Sequence, residues 1–408
     1  MNIWLINHYA VPIKYYPLAR TTNFAKYLTR MGHMVTIFAA SSVHNSDINL
    51  ITDGTLYREE IVDGFHYVYV RCRSYQRNGM QRVINMFEFP QRLKKVCVRF
   101  PRPDAVIASS ATPPACMAGL KIAKKCGARA VAEVSDLWPE SFVAYNLIPA
   151  GSPLLIPMYA YEKRMYRMAE DVIFTMEGAY DYIVEQGWKR TIPREKVHYI
   201  NNGVDLDSFD YNREHFRVED PDLDDPNTIK IIYTGSIRLI NNLGVLLDAA
   251  KQVENYRIRF LIWGDGDQFP ALRQRVRDEG IDNVVFKGRV EKKYIPSIVS
   301  RADYNYINGA DNDLFRFGIS PNKLFDYFAA EKPVLMYMRV KYNPVERFSC
   351  GFTCETQEGL DALLKRIPEI PKEKYAAMCR GAAAAAREYD FKNLTARLVE
   401  VIERTGKA

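Results

Sequence analysis

The chain has 408 residues, 48% of them hydrophobic, which provides enough apolar side chains for two domains of roughly 200 residues each. The formal net charge is +7 without a long Lys/Arg run, so the charge pattern excludes a nucleic-acid-binding arm but suits an anionic small substrate or an anionic membrane surface. Seven cysteines without paired spacing disfavour a disulfide framework and a zinc site, and indicate a reducing compartment, the cytoplasm. The apolar stretches are shorter than the roughly 18 to 20 residues that span a bilayer, and the start, MNIWLINHYA, predicts a first strand rather than a signal peptide.

In the first half, short apolar runs alternate with helical segments, which predicts a parallel sheet covered by helices. The predicted strands are NIWLINHY, MVTIFAA, HYVYVRC, DAVIASS, RAVAEVSD, DVIFTM and KVHYIN. The predicted helices lie near residues 20–31, 79–99, 113–125, 153–169 and 178–187.

A polar, Asp- and Pro-rich stretch near residues 200–227 interrupts this alternation, and the pattern then restarts. The predicted strands of the second half are IKIIYTGSI, IRFLIWGDGD, VVFKGRV, DYNYING, PVLMYM and GFTCE. We therefore predict an α/β protein of two tandem Rossmann-like, doubly wound domains. They cover residues 1–200 and 201–387, and a last helix at about 388–408 packs back on the first domain.

Ligands of open α/β sheets bind beyond the carboxyl ends of the strands, so the loops that follow the predicted strands are the candidate site. The sequence has neither GxGxxG with a downstream acid nor GxxxxGK[ST], which disfavours a Rossmann dehydrogenase and a P-loop enzyme. Gly235, Gly264 and Gly288 each follow a strand of the second half. Each glycine alone is most simply a turn, but together with the cations Arg238 and Lys323 they indicate a diphosphate site.

The stretch SPNK at residues 320–323 predicts the start of a helix, with Ser320 as the N-cap and Pro321 at the first helical position. The free N–H groups of such a start bind anions, and Lys323 in the first turn opposes the helix dipole unless an anion offsets it. Asp326, one turn further on, is placed to accept hydrogen bonds from a sugar diol. An ordinary capped helix with a surface lysine and a solvated carboxylate is the alternative interpretation.

Eight segments of the sequence together resemble those of a known protein family. They are YTGSI, NNGVDLDSF, WGDGD and SPNKLFDYFAAEKPV in the second half, and LINHYA, NGMQRVINMFEF, DAVIASS and EVSDLWPES in the first. The whole chain thereby resembles family-4 retaining glycosyltransferases of the GT-B fold, and in particular the bacterial O-antigen and capsule subgroup that includes N-acetylfucosaminyl transferases. The resemblance implies two domains that face a central cleft. It also implies retaining transfer from a nucleotide sugar, UDP-linked, to a polyprenyl-diphosphate-linked saccharide at the inner face of the plasma membrane, with no metal or other cofactor and no nucleic acid as partner.

The resemblance also implies roles for individual residues. The nucleotide-sugar site comprises Gly235, Arg238, Gly264, Arg289, Ser320, Asn322, Lys323, Leu324 and Asp326. Catalysis is assigned to Asp136, Arg238 and Lys323, and the acceptor side of the cleft to His8, Ser135 and Asp136.

The sequence departs from the family pattern at four places. Gly318 stands where the first acid of the usual pair is expected, so the donor-sugar contact passes to Asp311, Asn312 or Asp313 or to backbone amides of that loop. Asn242 occupies the position of a usual lysine, and Ser135 that of a usual histidine. The usual double-glycine loop after the first strand is replaced by VPIKYYPLAR.

The segment RNGMQRVINMFEFPQRLKKVCVRFPRP combines basic with aromatic and aliphatic residues, which favours contact with an anionic leaflet. Its cations are Arg77, Arg82, Arg92, Lys94, Lys95, Arg99 and Arg102. We expect Pro90 to interrupt the helix, and a core-packing helix with a solvated basic face remains the alternative.

Two other functions stay open at this point. A non-hydrolysing UDP-sugar 2-epimerase shares the two-domain architecture, although six histidines offer few acid/base candidates. A catalytically degenerate homologue that only binds a sugar nucleotide is favoured by the missing acid at Gly318.

Overall fold

The computed structural model describes residues 1–10, 12, 20–44, 46–62, 64–76, 79–253, 255 and 257–404. It divides into two compact units. Unit 1 comprises Met1–Asn201 with Leu394–Ala408, and unit 2 comprises Asn202–Asn393. Both units are α/β and built around a mainly parallel sheet, which confirms the predicted fold class. In the segment VPIKYYPLAR, residues 11 and 13–19 lie outside the described residues, as does Arg77.

Unit 1 is built on an eight-stranded sheet with the strand order β3-β4-β2-β1-β5-β6-β7-β8. Its strands are β1 (Asn2–Ile6), β2 (Met34–Ala40), β3 (Tyr57–Val62), β4 (Phe65–Val70), β5 (Ala105–Ser109), β6 (Arg129–Val134), β7 (Asp171–Phe174) and β8 (Val197–Tyr199). In the described sheet, β3 and β4 pair antiparallel and the other neighbours pair parallel. Strands β1, β5 and β7 are buried along their whole length, as expected for parallel strands with helices on both faces.

The helices of unit 1 are α1 (Arg20–Arg30), α2 (Met80–Val96), α3 (Pro113–Cys126), α4 (Glu140–Ala144), α5 (Leu155–Met168) and α6 (Ala179–Glu185). The last helix, α16 (Phe391–Glu403), enters unit 1 from Leu394 onward. Beyond its end, the carbonyl of Arg404 accepts a 2.5 Å hydrogen bond from Arg129.

Helix α2 corrects the expectation that Pro90 interrupts this segment, because it runs unbroken from Met80 to Val96 with Pro90 inside. A proline in a helix removes one hydrogen bond and crowds the preceding turn. Here Pro90 is buried beside Phe89, Leu93 and Val96, which have no exposed surface. Burial of this apolar face stabilises the helix enough to offset the lost bond.

Unit 2 is built on a six-stranded parallel sheet with the order β11-β10-β9-β12-β13-β14. Its strands are β9 (Ile229–Thr234), β10 (Ile258–Trp263), β11 (Val284–Gly288), β12 (Tyr304–Asn308), β13 (Val334–Tyr337) and β14 (Gly351–Cys354). Its helices are α7 (Leu206–His215), α8 (Pro221–Asp224), α9 (Gly244–Lys251), α10 (Phe269–Asp278), α11 (Ile295–Val299), α12 (Asn322–Ala329), α13 (Pro344–Arg347), α14 (Gln357–Arg366) and α15 (Lys372–Glu388). The parallel register brings the carboxyl ends of β9, β10 and β11 to one edge of the sheet.

Candidate functional site

Three glycines form a closely packed rim at the carboxyl ends of β9, β10 and β11. The N–H of Gly235 donates to Trp263 O at 3.0 Å, and the N–H of Gly264 donates to Gly288 O at 2.8 Å. Gly264 has φ +152°, and a Cβ placed there would lie 1.8 Å from the carbonyl oxygen of Gly235. Only glycine therefore permits the two turns to approach this closely.

Lys323, in the first turn of α12, extends to this rim. Its Nζ donates to Tyr233 Oη at 2.7 Å and to Asn241 Oδ1 at 3.4 Å, and it lies 4.2 Å from the centre of the Tyr233 ring. A Cβ on Gly235 would lie 2.9 Å from Nζ, so the amine is packed directly against this glycine. These partners are neutral, and burial lowers the pKa of Lys323 to about 7.

The loop that follows β9 is tied to the same lysine. Asn241 Nδ2 donates to both Ser236 O and Ser236 Oγ at 2.9 Å, and Tyr233 Oη donates to Ser236 O at 2.7 Å. Lys323, Tyr233, Ser236 and Asn241 therefore form a closed ring of hydrogen bonds. This ring fixes the loop that carries Arg238.

Arg238 and Arg289 extend the positive character of the rim. Arg238 lies in the loop after β9, and Arg289 directly follows the last residue of β11, Gly288. Both residues are solvent-exposed, and their side chains make no hydrogen bond or ion pair with any described residue. Two guanidinium groups are thus available to an anion at the edge where Lys323 lies.

The start of α12 differs from the sequence prediction. Pro321 is the N-cap and Asn322 the first helical residue, whereas Ser320 lies one position earlier and its Oγ accepts from the N–H of Asn202 at 3.3 Å. Ser320 therefore holds the backbone at Asn202 and does not cap the helix. Asn322 is exposed in the first turn, where helix N–H groups lack intrahelical acceptors.

Leu324 does not fit the nucleotide-binding role that the resemblance implies. Its side chain has no exposed surface, and its N–H already donates to Pro321 O at 3.0 Å. This residue offers a ligand neither a side chain nor a free amide, and its role is to anchor α12 in the core.

Asp326 lies one turn beyond Lys323 and is half-buried. Burial raises the pKa of its carboxyl, and the charge of Lys292 opposes this shift. Lys292 lies shortly after the end of β11, so the positive charge that acts on Asp326 comes from the loop that also carries Arg289.

The segment before α12 contains Gly318, which has φ +105° and is buried. Within the same segment, Asp311 and Asp313 are exposed, while Asn312 caps the next turn by accepting from Leu314 N–H at 2.9 Å. The N–H of Ala310 donates to Ile240 O at 2.8 Å, which attaches this segment to the loop after β9. Asn242, with φ 42°, accepts a hydrogen bond from Asn308 at 2.8 Å through its backbone carbonyl and serves as a turn residue.

In unit 1, His8 is buried and bound within the protein. Its Nε2 is 2.6 Å from Asn85 Oδ1, and Asn85 Nδ2 donates to Ser42 and to the carbonyl of Arg73. Because the amide nitrogen is used as a donor, Asn85 accepts from Nε2–H of His8. Burial lowers the pKa of His8 to about 4, so the ring is neutral, and its full burial removes it from direct contact with a substrate in this structure.

Ser135 and Asp136 directly follow β6, at the carboxyl edge of the unit 1 sheet. The carbonyl of Ser135 accepts from Thr175 at 3.4 Å. Asp136 is solvent-exposed and makes no hydrogen bond or ion pair with a described residue, yet desolvation by its surroundings raises the pKa of its carboxyl. An unpaired carboxylate with a raised pKa at a strand end is a candidate for proton transfer or for orienting a hydroxyl group.

The sequence prediction missed Tyr233 and Asn241 as partners of Lys323. They lie 90 and 82 positions away from it in the chain, so no local pattern connects them. In the sequence, only their positions at the end of β9 and in the loop that follows could have indicated this role.

In the described part of the chain, no cluster of three or more His, Cys, Asp or Glu side chains could hold a metal ion. None of the described helices is both long and apolar enough to cross a membrane.

Comparisons with known proteins identify the class of the molecule. The family model Glycosyltransferase Family 4 matches residues 19–208, and the model Glycosyl transferases group 1 matches residues 228–367. The sequence has no significant match among curated proteins.

The fold is similar to that of several solved structures. They include Anabaena Alr3699/HepE in complex with UDP, with 16% identity, a TM-score of 0.69 and coverage of 99% of this chain and 100% of that chain. Sucrose-phosphate synthase (tll1590) from Thermosynechococcus elongatus has 14% identity, a TM-score of 0.70 and 98% coverage of both chains. The E. coli trehalose-6-phosphate structure bound with UDP-2-fluoro glucose has 10% identity, a TM-score of 0.72 and 100% coverage of both chains.

Two parallel α/β units and these neighbours define the GT-B fold. A glycosyltransferase domain is matched in each half, so the chain is a glycosyltransferase.

Proposed function

We propose that the protein transfers a sugar from a UDP-sugar to a polyprenyl-diphosphate-linked saccharide during assembly of bacterial O-antigen or capsule repeats. The transfer retains the anomeric configuration, needs no metal or other cofactor, and takes place in the cytoplasm at the inner face of the plasma membrane. The observation that carries the donor assignment is the amine of Lys323, held by neutral groups against Gly235 on a rim with two unpaired arginines. Complexes of the Anabaena neighbour with UDP and with UDP-glucose support a UDP-linked donor.

The rim suits a diphosphate leaving group. Lys323, Arg238 and Arg289 supply positive charge, and the N–H groups of Asn322 and Lys323 add the dipole of α12. In this mechanism the departing diphosphate takes the proton of the acceptor on the same face of the sugar. The protein then needs no nucleophile of its own, and its main task is to stabilise the developing negative charge.

The remaining site residues serve the sugars. Asp326 binds the ribose hydroxyls, and Asp136 orients the acceptor hydroxyl or partly deprotonates it. Because Gly318 has no carboxylate, the donor sugar is bound by the exposed Asp311 or Asp313 or by amides of that segment.

Substitution of Lys323 tests this assignment. We expect Lys323→Ala to lower kcat by about 100- to 1,000-fold, as for removal of one donor to a transition-state oxyanion, with little loss of folding stability. Lys251→Ala, a half-exposed lysine of the same unit, is the matched control. Transfer by Lys323→Ala at the wild-type rate in a lipid-linked acceptor assay would remove Lys323 from the mechanism.

One observation favours a second candidate, a protein that binds sugar nucleotides without transferring them. Gly318 provides no side chain where the family pattern has an acid. Tight UDP-sugar binding with no transfer to any lipid-linked acceptor would support this candidate. Isomerisation of the sugar in the absence of acceptor would instead indicate a 2-epimerase.

A further inference from the structure

Helices α2, α3 and α5 form a continuous layer on one face of the unit 1 sheet. They lead into β5, β6 and β7, which are neighbours in the sheet and parallel. Each of the three helices makes a right-handed crossover between parallel strands, and the three crossovers proceed across the sheet in the same direction, so the helices lie on the same face. Helix α3 packs against both α2 and α5. We call their solvent side the helical layer.

The exposed charges of α2, α3 and α5 are all positive, while α6 beside α5 adds the exposed acid Glu185. The positive charges belong to Lys94, Lys95, Lys121, Lys124, Lys125, Arg164 and Arg167. The two acids of α2 and α5 do not offset them. Glu88 pairs with Arg92 at 2.6 Å, and Glu162 is buried with hydrogen bonds from two tyrosine hydroxyls. The layer therefore presents a broad cationic surface assembled from segments that are separate in the sequence.

Large apolar side chains are exposed on the same layer. Met80 and Phe87 of α2 are 72% and 54% exposed, and Val83 between them belongs to the same helical stripe. Leu154 and Ile156 at the start of α5 are 68% and 71% exposed. Exposed residues of this size grouped on one side of a protein mark a docking surface.

The apolar groups share one end of the layer. Crossover helices run opposite to the strands they precede, so the N-terminal ends of α2 and α5 lie toward the carboxyl edge of the sheet. Asp136 lies at that edge, directly after β6. The lysines of α3, by contrast, lie in its second half.

We infer that the helical layer docks on an anionic lipid bilayer. Phe87 and Ile156 insert among the acyl chains, and the lysines of α3 contact the lipid headgroups. This inference rests on the proposed lipid-linked acceptor and gives it a geometry, because it brings the membrane to the edge of the sheet that carries Asp136. A nucleic acid also attracts lysines, but its phosphate backbone does not use exposed aliphatic stripes, so a bilayer fits this surface better.

Charge reversal on α3 is the first test, since α3 lies outside the basic segment that the sequence singles out. Wild-type protein should co-sediment with vesicles of phosphatidylglycerol and phosphatidylcholine at low salt, and not with phosphatidylcholine alone. The triple variant K121E/K124E/K125E should bind these vesicles about 100-fold more weakly. The control K365E/R366E/K372E reverses three exposed cations of unit 2 and should bind like the wild type.

Removal of apolar side chains is the second test. We expect F87S/I156S to lose about tenfold in vesicle affinity, whereas I61S/M34S, which changes two exposed apolar residues of unit 1 outside the layer, should not. Both double variants should keep wild-type UDP affinity and wild-type transfer to a soluble acceptor analogue.

Three outcomes would overturn the inference. They are wild-type vesicle binding by both layer variants, equal losses in the control variants, and a loss of binding to a DNA duplex without a loss of binding to vesicles. Vesicle binding needs no sugar donor, so failure of the proposed transfer reaction would leave these results readable and would show separately as absent product.

Discussion

Lys323 is held by a phenol oxygen, an amide oxygen and an aromatic face, with no carboxylate among its described hydrogen-bond partners. In this setting burial lowers the pKa of the amine to about 7. The charge of the side chain therefore changes near neutral pH, which is unusual for a lysine. A diphosphate binds the ammonium form, so ligand binding and protonation of Lys323 are coupled.

This coupling predicts the pH dependence of UDP binding. Because the amine loses its proton as the pH rises through about 7, UDP affinity should fall by about tenfold between about pH 7 and pH 8.5. Lys323→Arg, which stays charged, should remove this dependence, and Lys323→Met should bind weakly at every pH. Calorimetric titrations in two buffers with different ionisation enthalpies measure both affinity and proton uptake. A flat wild-type profile with no proton uptake would contradict the coupling.

For Asp136 the pKa is shifted upward, whereas for Lys323 it is shifted downward. Desolvation raises the pKa of its carboxyl, so on acidification it becomes protonated earlier than an ordinary aspartate. If the ionised form orients the acceptor, the acidic limb of the kcat/KM profile should lie above the usual carboxyl range. Asp136→Asn should lower kcat by about 100-fold or more and leave UDP affinity unchanged.

The control for Asp136 is Glu195→Gln, which neutralises an exposed acid of unit 1 away from the strand end. Transfer rates over a series of pH values, measured with saturating donor, distinguish the two variants. An Asp136→Asn enzyme with the wild-type rate and profile would show that this carboxylate takes no part in transfer.

At the scale of elements, α5 and α6 share a buried carboxyl group. Glu162 of α5 accepts hydrogen bonds from Tyr166 and from Tyr182 of α6, both at 2.6 Å, and Trp188 packs against both tyrosine rings. Burial raises the pKa of Glu162 to about 8, although the two hydroxyl groups favour the ionised form. The cluster ties α5 to α6 with a group that is largely protonated at neutral pH.

The raised pKa predicts that alkaline pH destabilises this cluster. Between the unfolded value of 4.5 and the folded value of about 8, the folded state binds more protons than the unfolded state. The contribution of Glu162 to the free energy of unfolding should therefore fall by about 1.4 kcal/mol per pH unit across this window, and the loss should be complete above about pH 8. Glu162→Gln stays neutral, so its stability relative to the wild type should rise with pH.

Urea unfolding at about pH 5.5, 7 and 8.5 measures this difference, with Glu195→Gln as the exposed control. Comparison of variant with wild type at each pH cancels the titration of other groups. A constant difference between Glu162→Gln and the wild type across this range would contradict a raised pKa.

The order of elements follows from hydrophobic patterning, since the strands named in the sequence, from NIWLI to GFTC, are present. Three local features did not follow. Strand β3, which pairs antiparallel with β4, is absent from the predicted strands of the parallel first sheet. The helix α7 lies in the polar stretch near residues 200–227, where its first turn is capped by Asp205, and Pro90 does not end α2. The cap of α7 is a contact between Asp205 and Ser208, three positions apart, so it is a local signal that the polar composition of this stretch obscures. The buried face that stabilises α2, by contrast, depends on packing that local propensity does not contain.

The residues of the candidate site also fall into two groups, those that the local sequence predicts and those that only the packed structure explains. Turn glycines such as Gly235 and Gly264 are local features, and the sequence located them because they follow strands. The environment of Lys323 and the burial of His8 depend on residues 77 to 90 positions away, and Ser320 is engaged by Asn202, 118 positions away. Sequence patterns therefore locate the rim, but the charge state and accessibility of its residues arise only from the packed structure.

At the scale of the whole molecule, the site assignment predicts where a nucleotide acts. If UDP binds the rim of unit 2, amide hydrogen exchange should slow in the loops after β9, β10 and β11 and in the first turn of α12. These segments lie at residues 235–242, 264–268, 288–291 and 320–324.

At a UDP concentration of about 100 times Kd, binding adds about 2.7 kcal/mol to the free energy of unfolding of the state that binds, so a measurable rise in Tm should accompany the protection. Lys323→Ala should lose most of both effects at the same UDP concentration, whereas Lys251→Ala should keep them. Protection in other strand-end loops, with residues 235–242 and 320–324 unchanged, would place the nucleotide elsewhere and overturn the assignment of Lys323, Arg238 and Arg289.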